Sequence, residues 1–402
     1  MLTIPAKTVY IDPEVYEKEN CRKRLERMLP HVQCNDVREY DATAREQVSR
    51  IGKRRHGKDD FGDDAVIIFT TFDPNRKGWY YHPRSAATRW ENYREYCQSA
   101  LELNIVDGCV FRCAYCGFGR YIHFSLDVER FMQGLGDIFA RYPDQRLYKY
   151  SNMTDLPPFE PELDAIPPMV RLFGRGADRY LMLFTKSDNV DFLTNLEHNG
   201  HTIISWSITC ETASRLIDKR TATVNERIAA MRKMQKAGYL VRARLSPIVP
   251  IRDWKREYTE LFESLFASVD PDVITLELLG WMDFDDMTML LDPEILDTEA
   301  FESARAAADE LRGVFTGPFT EATHMEVYRF CIETVKRLSP HTPVSLCHGT
   351  TPMWKALGDL MGMTPGNYVC NCGPMSTPGG ELYDQFHPDS HNAGRMPALP
   401  ER

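Results

Sequence analysis

From about residue 101 onward, short β-rich runs alternate with helix-length amphipathic runs, a pattern that few folds satisfy. The candidate strands are LELNIV (101–106), RLYKYSN (146–152), YLMLFTK (180–186), TIISWSIT (202–209), YLVRARLSP (239–247) and DVITLELL (272–279). Between them lie helical patterns such as LDVERFMQGLGDIFARY (126–142), VDFLTNLEHNG (190–200), VNERIAAMRKMQKAG (224–238) and DWKREYTELFESLF (253–266), several closed by a glycine in the C-cap position. Successive strand–helix units imply a parallel sheet, because a parallel neighbour can be reached only by a long crossover. Six such units predict an α/β fold, a partial (β/α)6 TIM-type barrel with an N-terminal cap and a helical C-terminal extension.

The expected boundaries follow from where the alternation stops. Residues 1–100 contain one convincing strand, AVIIFTTF (65–72), and otherwise read as an irregular cap. The barrel is expected over 101–285. A C-terminal helical region over 286–375 holds a helix pair (300–315 and 324–339) and a short strand, PVSLC (343–347), and the Pro- and Gly-rich residues 376–402 read as a loose tail.

Composition narrows the partners. The formal charge of −10, from 48 basic and 58 acidic residues, repels a polyanion at long range and argues against non-specific duplex binding. The densest basic run, IGKRRHGK (51–58), is followed at once by DDFGDD and reads as a solvated loop. No stretch approaches the roughly 20 apolar residues of a membrane span, and the acidic, proline-broken start does not look like a secretory signal, so a cytoplasmic protein with no membrane partner is expected. Eleven cysteines, an odd number, suit metal ligation and reduced thiols better than a disulfide framework.

Three of those cysteines carry the chemistry. Cys109, Cys113 and Cys116 form C-x3-C-x2-C directly after the first barrel strand, in a loop that also contains Gly108, Gly117 and Gly119. Three thiolates there can hold one [4Fe–4S] cluster and leave its fourth iron open to a further ligand. The competing reading is a zinc loop, but structural zinc wants a fourth ligand close by, and the nearest is His123. At the C-terminal ends of the candidate strands stand Asn152, Asp155, Lys186, Ser207, Ser246 and Glu277, on the face where such barrels place their active sites. Each alone has a plainer explanation as a solvated lysine or a helix cap; together with the cysteines they predict one ring.

The triad spacing is that of the radical S-adenosylmethionine (SAM) superfamily, and Tyr115 before the third cysteine also resembles its pattern. Within that superfamily the stretches RYIHFSLDVERF, TKSDNVDFLTNLEHNG with SWSIT, and ERIAAMRKMQKAGYLVRARLSPI with DWKREYTELFE resemble spore photoproduct lyase in order and spacing. The resemblance implies a [4Fe–4S] cluster whose open iron chelates SAM, a flavodoxin- or ferredoxin-type electron donor, and a 5′-deoxyadenosyl radical that abstracts hydrogen. It places Lys186 and Ser207 on SAM-contacting positions, and Thr154 and Ser246 on two more. It implies a thymine derivative in DNA or a nucleoside as substrate.

Two positions break the likeness. The lyase returns a hydrogen atom from a cysteine where this chain has Asn152, and it relays the radical through a tyrosine where this chain has Gly117. Tyr148 and Tyr150 are candidate substitutes for the relay, and Cys210, just past SWSIT, is a candidate hydrogen donor if it lies at the barrel mouth. A substrate that is a small metabolite or a peptide is therefore the second reading, and a non-catalytic iron–sulfur, nucleic-acid-binding protein the third. Four late cysteines, Cys331, Cys347, Cys370 and Cys372, are either ligands of an auxiliary cluster or buried thiols that pack as small hydrophobes.

Overall fold

The computed structural model describes residues 1–51, 65–73, 79–82, 95–96, 100–143, 145–176, 178–314, 316–364, 367–371, 373, 377–378 and 383–384. The basic run and the acidic run beside it therefore lie almost wholly outside the described residues. The frame consists of strands β1 (Ile4–Ile11), β2 (Ala65–Thr70), β3 (Ala100–Leu103), β4 (Tyr121–Ser125), β5 (Leu147–Tyr150), β6 (Tyr180–Thr185), β7 (Thr202–Ile208), β8 (Leu240–Ile248), β9 (Ile274–Leu278) and β10 (Val344–Leu346).

β3 and β5–β10 pair in sequence order, each parallel to the next, and Trp79–His82 adds an antiparallel edge beside β3. This curled parallel sheet is the predicted partial barrel. All six candidate strands form, with ends shifted by no more than three residues, and the late strand 343–347 joins the same sheet as β10. Helices Val224–Lys236 and Trp254–Phe266 appear where their apolar periodicity placed them, the first opened by a capping box between Thr223 and Glu226. The 190–200 segment does not become a helix. It makes one 3-10 turn, Asp191–Leu193, because the His198 ring stacks on Tyr239 at 3.8 Å and Tyr239 donates its hydroxyl to the Leu193 carbonyl at 2.9 Å; packing overrides the local periodicity.

Among the described residues of the first hundred, a second sheet forms. β1 is parallel to β2, β2 is parallel to β4, and Val32–Gln33 and Val37–Glu39 pair with β1 on its other side. The prolines near the start of the chain hide this strand, yet Pro5 stands near the beginning of β1, where a missing N–H is tolerated. β4, which comes from the barrel half of the sequence, belongs to this second sheet. Of the expected tail, 376–402, only residues 377–378 and 383–384 lie among the described residues, and Thr377 has a partner in the barrel. Arg242, buried at the foot of β8, donates to the carbonyls of Asn371 at 3.1 Å and Thr377 at 3.0 Å. Asn371 donates to Ser205 at 2.8 Å and Ser345 donates to the Val369 carbonyl, so Val369, Asn371 and Thr377 supply partners to buried groups in the lower interior of the barrel. Among the described residues no helix is long and apolar enough to cross a membrane.

Candidate functional site at the carboxyl ends of the barrel strands

A cavity of about 390 Å³ opens at the C-terminal ends of the barrel strands. Its wall contains Cys109, Cys113 and Cys116 on one side, Asn152, Thr154 and Asp155 past β5, Lys186 past β6, Ser207 on β7, Ser246 on β8 and Glu277 on β9. The predicted ring is thus brought together with the triad. Tyr115 also lines it, with its ring 5.7 Å from Lys186 Nζ.

The loop that carries the triad depends on glycine. Gly108 has φ +96°, and a Cβ there would come within 1.9 Å of the Tyr121 carbonyl oxygen, so only glycine lets the chain leave β3 and pass over β4 before Cys109. Burial, above all, pushes the Cys109 thiol up to about 12 and Cys113 well above the ordinary thiol value. Bare thiolates are therefore disfavoured, and a bound metal centre supplies the positive charge they need. A single zinc ion, with Zn–S bonds of about 2.3 Å, would gather thiols within roughly 4 Å of one another. The three sulfurs line one cavity. His123, the histidine nearest the triad in sequence, is bonded to Thr70 at 2.8 Å inside the N-terminal sheet. Three thiols on one cavity wall are the ligand types of an iron–sulfur cluster with one open iron. The buried Thr154 hydroxyl has no hydrogen-bond partner among the described residues and stands on the cavity wall, as expected where a polar ligand supplies the missing bond.

Charged pairs that sequence reasoning missed hold the ring in place. Lys186 Nζ donates to both oxygens of Asp218, at 3.0 and 2.9 Å, and the fully buried Arg227 donates to the same carboxylate at 2.9 Å. Burial alone would raise Asp218, but Lys186 and then Arg227 outweigh it and its pKa is lowered. Asp155 accepts from the Lys186 N–H at 2.6 Å and the Thr185 hydroxyl at 2.8 Å, while burial raises it to about 7. A second pair lies deeper: Lys149 donates to Glu102 at 3.0 Å, and the Asn152 amide donates to the same carboxylate oxygen at 2.9 Å. Inward positions of a strand alternate with outward ones, which would have singled out Lys149 in YKYSN. Asp218 and Arg227 had no such signal, because neither lies on a strand.

Several expected positions lie elsewhere. Tyr148 and Tyr150 flank Lys149 and so point outward, Tyr148 against Phe139 and Phe173 and Tyr150 toward Phe131, with its hydroxyl on the Ala165 carbonyl. Packing, not a radical relay, accounts for both. Cys210 is buried at the N-cap of helix Glu211–Ile217 and is not on the described cavity wall. The late cysteines are dispersed: Cys331 lies in helix Glu321–Leu338 with the Cys210 thiol as a neighbour, Cys370 sits beside Asn371 under the barrel, and Cys347 joins Glu277 and His348. Cys372 lies outside the described residues.

Residues 92–282 match the family described as spore photoproduct lyase. The chain resembles spore photoproduct lyase. The enzyme of Clostridium acetobutylicum is 24% identical over 186 residues, covering 44% of this chain and 55% of that protein, and that of Bacillus subtilis is 29% identical over 182 residues, covering 43% and 53%. The matched part thus spans about half the length of these curated relatives. A spore photoproduct lyase variant solved with bound AdoMet and dinucleoside spore photoproduct superposes with TM-score 0.63 at 18% identity, over 86% of this chain and 99% of that one. Another, with the dinucleoside alone, gives 0.62 at 17% identity over the same shares. Spore photoproduct lyase and this chain share their fold.

Proposed function

We propose that this chain is a radical SAM enzyme that abstracts hydrogen from a thymine-derived nucleobase lesion in DNA or a dinucleoside. The observation that carries this reading is the convergence of Cys109, Cys113 and Cys116 with Thr154, Lys186 and Ser207 on one cavity at the catalytic end of a barrel. Resemblance to proteins solved with AdoMet and dinucleoside spore photoproduct supports both the cofactor and the substrate class. Cys109, Cys113 and Cys116 would hold a [4Fe–4S] cluster, which with SAM would supply a 5′-deoxyadenosyl radical on one-electron reduction by a flavodoxin- or ferredoxin-type donor in the cytoplasm.

The chain's own residues then have distinct tasks. Lys186, oriented by Asp218, presents an ammonium beside Tyr115 that suits a carboxylate or a ribose oxygen. Asp155 sets the backbone of Lys186 through its N–H. Thr154 and Ser207 offer hydroxyls on the wall, whereas the Ser246 hydroxyl is committed to Glu277. Asn152 stands where the lyase carries its hydrogen-donating cysteine, and its amide is held by Glu102. Gly117 adds no side chain where the lyase carries tyrosine. Hydrogen return must therefore use another donor, and this favours, as a second reading, a small-metabolite or peptide substrate.

Anaerobic reconstitution with dithionite and SAM decides the first step: 5′-deoxyadenosine should form, and none formed with three to four irons bound, about one cluster, would overturn both readings. Deuterium transfer from labelled dinucleoside spore photoproduct into 5′-deoxyadenosine decides the substrate. Its absence, with the nucleoside still being produced from SAM, would select the second reading.

A further inference from the structure

Glu277, Cys347 and His348 are all buried, and their ligand-type atoms lie within 4.8 Å of one another. They come from two neighbouring strand ends. Glu277 is on β9 and lines the cavity, and Cys347 and His348 follow β10 directly. Consecutive residues of an extended chain point to opposite faces, so Cys347 and His348 could not share a point if β10 simply continued. The backbone breaks there: His348 has φ +56°, the left-handed region that a residue with a Cβ rarely adopts, and this turns its ring back toward Glu277. His348 Nε2 is 3.7 Å from Glu277 Oε1.

The surroundings orient this group as outer partners orient metal ligands. Glu277 Oε2 is occupied, accepting from Arg244 Nη2 and from the Ser246 hydroxyl, both at 2.5 Å. That leaves Oε1 as the oxygen facing His348. The same guanidinium reaches Cys347 Sγ at 3.6 Å, and the Trp281 ring stands edge-on to His348 at 5.6 Å on the cavity rim. One carboxylate, one imidazole and one thiol are the ligand types of zinc sites with three protein ligands and one exchangeable position.

We propose that Glu277 Oε1, His348 Nε2 and Cys347 Sγ bind a single zinc-class divalent ion at the cavity wall opposite the cysteine triad. Binding releases the thiol proton, and a water or a substrate oxygen from the cavity completes the shell. The site does not depend on radical chemistry, and its test reads metal rather than turnover.

The full-length protein, reconstituted anaerobically with iron and sulfide, is given one equivalent of ZnCl2 and dialysed against a weak chelator. About one zinc per chain should remain, and zinc X-ray absorption should give one sulfur at about 2.3 Å with nitrogen and oxygen at about 2.0 Å. C347S and H348Q should each weaken zinc affinity at least about 10-fold and S246A, an outer partner, by a similar or smaller factor, all with iron content unchanged. The C109A/C113A/C116A variant should keep its zinc. No zinc retained by the wild type, a shell with more than one sulfur, or zinc that survives both C347S and H348Q would overturn the site. So would zinc lost from the triple variant. The wild-type spectrum decides even if a variant fails to fold.

Discussion

Asp218 is a carboxylate with no exposed side-chain surface, held between Lys186 and Arg227. Removing its charge leaves two cations in the same buried pocket, so Asp218→Asn is expected to cost about 3–5 kcal/mol, readable as a lower urea midpoint. The same change should weaken SAM binding, because it frees the ammonium of Lys186 to move. Asn152→Cys acts in the opposite sense. It gives up a 2.9 Å hydrogen bond to Glu102, a loss of about 1 kcal/mol, but places a thiol at the cavity wall. With dinucleoside spore photoproduct it should raise the yield of thymine product per 5′-deoxyadenosine formed; an unchanged ratio would mean that hydrogen return is controlled elsewhere. Asn152 and Gly117 were legible from the sequence because they sit at fixed offsets from recognisable blocks. Asp218, Arg227 and Glu102 were not, since each acts through a partner 9 to 50 residues away that no local pattern marks.

Among the elements, the loop from β3 to the triad is the least tolerant of change. Gly108→Ala meets the Tyr121 carbonyl in a backbone conformation unsuited to a Cβ, so it should destabilise by at least about 2 kcal/mol. Less iron should be retained after reconstitution, measured per folded chain. Helix Glu321–Leu338 carries a different liability. His324 is buried, and burial, only partly opposed by the Thr320 carbonyl, lowers its pKa to about 4. The unfolded imidazole titrates near 6.5. The unfolded chain therefore takes up a proton that the folded one refuses, so this contribution is fully present above about pH 6.5 and is lost as pH falls through 4, up to about 3 kcal/mol. His324→Gln should flatten the pH dependence of unfolding across that interval. Barrel strands and amphipathic helices were legible because period-2 and period-3.6 patterns survive packing, and 190–200 was misread because His198 stacking on Tyr239 competes with its helical pattern.

At the scale of the whole molecule, two parallel sheets meet around the triad, and only one was apparent from the sequence. β1 was hidden by Pro5 and its charged neighbours, and β4 by its place in the barrel half of the chain. Val369, Asn371 and Thr377 were hidden for another reason: Pro and Gly nearby suggest a free end, but their carbonyls accept from Ser345 and Arg242. A chain ending at residue 366 should therefore melt lower, by the equivalent of about 3 kcal/mol or more, as buried polar groups at the foot of β7, β8 and β10 lose their partners. Limited proteolysis should cut within the barrel strands of that shortened chain and spare them in the full one.

The same interior plug orders events during synthesis. Asn371 reaches Ser205 across 166 residues of sequence, so β7 leaves the ribosome long before the amide that satisfies it exists. Until then the Ser205 hydroxyl lacks the partner that it has in the finished fold. Closure of the protein interior is thus a late, long-range event, and metal loaded before it would meet a scaffold that is still unsealed from below.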